Sequence, residues 1–183
     1  ILLGGIVSAI IGPAVANISK DLIETYMYVG SYLALSVLTF LPTIFFIFYT
    51  NTSKIEINTV YAGRSYLELL SQPKYLQAII ASALGYAIMT FLMTGTPLSM
   101  HVMEGMSLSK TSIVIQIHVA CMFLPSLITG NLVKKFGHSK IMYAGSILYC
   151  ITVLISFFDQ SFFNYMFALI FLGFGWNFLF ISG

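Results

Sequence analysis

Six residues of this sequence place hydrogen-bonding or soft polarizable groups inside long apolar runs: Tyr86, Met93, Gln116, His118, Trp176 and Asn177. His118 lies in the stretch IVIQIHVACMFLPSLITG, two residues after Gln116. An imidazole there can bind a solute or take up a proton near neutral pH. It can equally be a hydrogen bond between helices, and the residue type does not choose. Helical spacing puts His118, Met122, Pro125 and Thr129 on one face. Trp176 and Asn177 sit in GFGWNFLF. The indole offers a flat stacking surface with one donor, and the amide donates and accepts. For Asn177 the competing role is helix–helix adhesion. Tyr86, Met89, Thr90, Met93, Thr94 and Thr96 form a soft wall ahead of Pro97. Such a wall suits either an organic ligand or ordinary packing.

The chemistry these residues could do is binding and conduction, not bond-breaking. The sequence carries no HExxH, GxSxG or phosphate-binding glycine loop, and no paired carboxylates. No catalytic residue, metal site or cofactor is therefore expected. His101, His118 and His138 fall in separate segments, which argues against a shared metal. Cys121 and Cys150 share no ligand or redox spacing and read as small apolar packing residues. Eight Lys and Arg residues are too few and too scattered to bind nucleic acid.

The elements that position these groups are legible from charge placement. Of the 183 residues, 58% are hydrophobic and 8% charged, against roughly a quarter charged in a soluble domain. A chain this short cannot hide so much apolar surface from water, so a bilayer is the expected solvent. The charged residues cluster and leave six uncharged stretches, at 1–19, 25–53, 75–103, 111–133, 141–158 and 160–183. A helix needs about 20 residues to cross the hydrocarbon core, and each stretch is of that order. The runs are apolar all round rather than alternating, which selects helices over barrel strands. The expected fold is all-α, a polytopic transmembrane helix bundle of about six spans.

Counting Lys and Arg in alternate connections gives orientation. Lys54, Arg64, Lys74, Lys134, Lys135 and Lys140 fall on one side, Lys20 and Lys110 on the other. The first side, with residue 1, is expected in the cytoplasm, and no Asp or Glu falls inside a span. The first span carries small residues four apart, Gly4, Ser8, Gly12 and Ala16, with Pro13 placed to bend it. Residues 50–74 form the one long connection, with an amphipathic segment around Tyr66 to Leu70 suited to the membrane interface. The expected division is 1–49, a linker at 50–74, and a second group of helices at 75–183. The sequence starts and stops within apolar runs, without an initiator Met, and is read as an internal segment.

The stretch GNLVKKFGHSK, Gly130 to Lys140, resembles the loop signature of the major facilitator superfamily (MFS). Gly130, Leu132, Lys135, Gly137 and Lys140 match it, whereas Lys134 stands where the family has an acid and His138 where a basic residue is common. Gly12-Pro13 resembles the kink of the family's fifth helix, and VIQIHVACMFLPSLITG and GFGWNF resemble its bacterial permeases. The resemblance implies helices five to ten of a twelve-helix transporter, with two helices before the linker and four after it. It implies alternating access of a small organic solute, with proton-coupled efflux as one form, in a bacterial inner membrane. It also implies a monomer at full length, with lipid, solute and protons as partners. Tyr86, Met93, Gln116, His118, Trp176 and Asn177 would line the cavity. Gly12, Pro13, Gly130, Lys135, Gly137 and Lys140 would serve the conformational change. The alternative is a polytopic membrane protein that does not transport, such as an assembly factor or membrane-embedded enzyme. It expects His118 and Asn177 packed between helices with no cavity beside them.

Overall fold

The computed structural model describes residues 2–23, 25, 26, 28–49 and 65–182. Every regular element among them is a helix: α1 (Leu2–Ser19), α2 (Val29–Phe48), α3 (Tyr66–Leu70), α4 (Pro73–Leu98), α5 (Leu108–Phe123), α6 (Ser126–Phe136), α7 (His138–Ser156) and α8 (Phe162–Ser182). A π-helical turn, Ser99–Met103, extends α4. Five segments are long and apolar enough to cross a membrane: 29–48, 73–103, 108–136, 138–156 and 162–182; α1 is a shorter apolar helix. The architecture is a partial polytopic transmembrane bundle. The span expected from residue 25 instead begins at Val29, because Tyr28 takes a left-handed conformation (φ 69°) that a helix cannot include. Of the long connection, residues 50–64 lie outside the described residues, and α3 occupies the segment expected to be amphipathic.

The chain forms two compact units, residues 12–70 and residues 1–11 with 71–183. In the first, Ser31 Oγ donates to the Ala16 carbonyl (2.7 Å) and ties α2 to α1. None of the apolar side chains of α2 from Tyr32 to Phe48 is buried by protein, and Phe45 and Phe48 are each nearly four-fifths exposed. Such a surface calls for hydrocarbon or further apolar helices against it.

In the larger unit α8 is the centre, and α4, α5 and α7 each pack on it. Hydrophobic burial does not drive helices together in lipid, so close backbone approach and hydrogen bonds must. Both are present. A Cβ on Gly145 of α7 would stand 2.9 Å from the Gly175 carbonyl oxygen, and one on Gly173 would stand 2.8 Å from the His118 carbonyl oxygen. Glycine at these sites lets α7 and α5 touch α8 at backbone distance. Tyr149 Oη donates to the Gly85 carbonyl (2.7 Å), linking α7 to α4, and Thr152 Oγ1 reaches the Ala168 carbonyl (3.2 Å). Between α6 and α7 the chain reverses at Gly137, whose φ of 86° favours glycine. There His138 Nδ1 donates to the Ser182 carbonyl at the end of α8 (2.9 Å).

Gly145→Val forces α7 away from α8, because the obstructing atom is backbone and cannot rotate aside. It is expected to cost about 1–3 kcal/mol, read as a lowered melting temperature of the purified full-length protein. An unchanged melting temperature would show that α7 and α8 are not this close.

Candidate functional site

The six polar or soft residues fall into two groups. Asn177, His118, Gln116 and Met93 are engaged with neighbouring helices. Tyr86 and Trp176 belong to an aromatic row beside a cleft.

Asn177 is wholly buried and lies against the break between α5 and α6. Pro125 has no N–H to offer the Cys121 carbonyl, and the Leu127 N–H turns to the Leu124 carbonyl instead (3.2 Å). Carbonyls at the end of α5 thereby lose their usual donors. Asn177 Nδ2 supplies one, donating to the Met122 carbonyl (2.6 Å), and also donates to Ser126 Oγ (2.5 Å). Its Oδ1 is 2.7 Å from Thr129 Oγ1, whose single proton lies between this oxygen and the Pro125 carbonyl (2.8 Å). Asn177 thus engages the break with both its amide nitrogen and its amide oxygen.

His118 is also wholly buried. Its Nδ1 donates to the Leu169 carbonyl (2.8 Å), since a carbonyl only accepts. In the neutral ring this leaves Nε2 as a bare lone pair, and no described group meets it. Gln116 Nε2 donates to the Ile10 carbonyl (3.3 Å) and ties α5 to the first half of α1. Met93 is half-buried against the apolar core of the larger unit.

Trp176 is 6% exposed, and its Nε1–H finds no described partner. Its ring stacks on Phe180 one turn later, with centroids 4.7 Å apart and planes at 11°. Phe123 of α5 meets Trp176 edge-on at 6.2 Å, and Phe180 continues to Tyr86 of α4 at 6.4 Å. These offset and tilted arrangements are the favourable ones for aromatic pairs. The row Phe123–Trp176–Phe180–Tyr86 crosses from α5 over α8 to α4. At its α4 end opens a cleft of about 510 Å³, lined by Tyr75, Ala78, Ile79, Ser82, Ala83, Tyr86 and Phe180. That size lies within the range of small-molecule sites. No charged side chain lines it, and its hydrogen-bonding side chains are Tyr75, Ser82 and Tyr86. The cleft can stack an uncharged flat ring system and bond it at the edges.

Sequence reasoning missed Phe180, Phe123, Tyr75 and Ser82. The signal was present for α4, because Tyr75, Ile79, Ser82 and Tyr86 repeat at helical spacing along one face. Among the motif residues, Lys134 and Lys135 occupy the last turn of α6, where cations suit the helix dipole. Lys135 Nζ lies 5.2 Å from the centre of the Phe136 ring. Gly130 is exposed on α6, and Gly12 and Pro13 lie within the continuous helix α1. No group of three His, Cys, Asp or Glu side chains that could hold a metal occurs among the described residues.

No protein-family model matches the chain, and no solved structure matches it. Among characterised proteins it is similar to the riboflavin transporter RfnT of Brucella anthropi, with 37% identity over 185 aligned residues that take in the whole of this chain and 46% of RfnT. It is also similar to the uncharacterized MFS-type transporters YddS and YdeG of Bacillus subtilis. YddS is 39% identical over 103 residues (55% of this chain, 23% of YddS) and YdeG 38% over 98 residues (52% and 23%). The chain thus spans less than half the length of each of these relatives, which are transporters rather than enzymes. With its multi-pass helical architecture and these likenesses, the chain belongs to the major facilitator superfamily.

Proposed function

We propose that this chain serves secondary active transport of a small organic solute by alternating access, and that the solute is an uncharged, flat heteroaromatic of the riboflavin type. The carrying observation is the 37% identity to a riboflavin transporter across the whole chain. The uncharged aromatic cleft at Tyr86 and Phe180 supports it, because an isoalloxazine-like ring gains from stacking and needs no counter-ion. The reading places the protein in a bacterial cell membrane as a monomer at full length. The starts of α4 and α7 face the cytoplasm, as the positive-inside rule requires of Lys74, Lys134, Lys135 and Lys140.

Of the expected cavity lining the cleft favours Tyr86, with Phe180 added, and Trp176 backs Phe180 from within the bundle. Met93, Gln116, His118 and Asn177 reach solute only if the helices they now join part during the cycle. In this reading Gly12, Pro13 and Gly130 serve flexing within α1 and α6, and Lys135, Gly137 and Lys140 serve the reversal between α6 and α7. Proton coupling, if present in the larger unit's spans, runs through His118, which carries the one imidazole buried among them.

The test is riboflavin flux into liposomes containing the purified full-length protein. Uptake above empty liposomes is expected, and Phe180→Ala should raise KM about five- to tenfold, the loss of one stacking contact. Flux equal to empty liposomes overturns the substrate assignment, and an unchanged KM removes the cleft as its site. A transmembrane pH gradient should alter the flux, and His118→Leu should abolish that response while the protein stays folded. The Leu169 carbonyl keeps its ladder position within α8, so loss of the imidazole leaves no backbone group stranded. A response that persists in His118→Leu rejects the histidine as the proton carrier.

A further inference from the structure

Phe180 is the one ring that α8 gives to the aromatic cleft, and it is 43% exposed. A side chain that open is free to change rotamer unless a neighbour fixes it. Trp176 fixes it, being 6% exposed and stacked on it at 4.7 Å. Trp176 is in turn met edge-on by Phe123, the last residue of α5. Neither Trp176 nor Phe123 lines the cleft.

Phe123 is itself held by α1. A Cβ on Gly5 would stand 2.8 Å from Cγ and Cδ1 of the Phe123 ring and 2.9 Å from Cδ2. These atoms form the root of the ring, so it cannot make room by moving its tip. Glycine at position 5 is what lets α1 close on Phe123. A second contact sets the register of the two helices. Seven residues earlier on the same face of α5, Gln116 Nε2 donates to the Ile10 carbonyl (3.3 Å). Ala9, one turn after Gly5, is 2% exposed, so this part of α1 is firmly seated. All these residues belong to the larger unit.

We propose that Phe123 is a positioning residue for the cleft. Seated by Gly5, it orients Trp176 and through it Phe180, so the fit of α1 on α5 is read as affinity in a cleft that neither helix lines. The affinity rests on the transport reading above; the orientation of the rings does not.

The test uses full-length protein labelled with fluorotryptophan, the fluorine resonance of Trp176 being assigned by its loss in Trp176→Phe. Gly5→Ala should move that resonance, and should move it no further once Phe123→Ala has removed the ring. Phe123→Leu keeps most of the volume and should move it too, which tests the edge contact even where Phe123→Ala does not fold. In flux measurements Gly5→Ala should raise the riboflavin KM about threefold, part of one aromatic contact, with the maximal rate unchanged. A merely structural role would instead lower the maximal rate and leave KM alone. A resonance unmoved by Gly5→Ala, an equal Gly5→Ala shift with and without the Phe123 ring, or an unchanged KM would each overturn the proposal. Absence of riboflavin flux in the unsubstituted protein would sink the substrate reading alone, and the Trp176 resonance would still decide the positioning.

Discussion

The arrangement of the larger unit depends on how the helix break at Pro125 is satisfied. Within a bilayer a carbonyl without a donor costs several kcal/mol, and proline removes a donor by its covalent structure. The carbonyl that Pro125 itself strands is that of Cys121, and Asn177 serves the next one in the break from another helix, placing its amide against the Met122 carbonyl and the Ser126 and Thr129 hydroxyls. That choice of partner fixes the rotation and height of α8 against α5. Trp176 is the preceding residue and Phe180 lies one turn on, so the same constraint aims the aromatic row.

Around this pin α8 is divided by residue size. Gly173 and Gly175 allow α5 and α7 to approach at backbone distance, while Trp176 and Phe180 fill the side toward α4. The short sequence GFGWNFLF thus supplies close contact, a polar lock and a stacking surface within two turns. The proposed transport role draws on this combination. Rigid helix pairs move as units, and an uncharged aromatic cleft at their edge can hold a flat solute without paying to desolvate an ion.

Much of the architecture was readable because charge is so costly in lipid that its absence marks the spans. The uncharged stretch at 111–133 corresponds to the segment 108–136 and that at 75–103 to 73–103. Two features within them were not readable. The division of one span into α5 and α6 follows from Pro125, which could equally have been a simple kink. The π-helical turn at Ser99–Met103 has no sequence signature. At the site, polarity pointed to His118 and Asn177, but in a membrane the same polarity serves adhesion and binding alike. Phe180 carried no signal of its own, since one phenylalanine among many in an apolar run reveals its neighbours only once the helices are packed.

The most direct measurement is a double-mutant cycle on the unfolding free energy of the full-length protein, pairing Asn177→Leu with Pro125→Ala. If Asn177 compensates for the proline, its replacement costs about 1–2 kcal/mol in the native background. In Pro125→Ala the cost should fall to less than half, because residue 125 regains its N–H and the ladder can close across the break. An equal cost in both backgrounds would contradict the account.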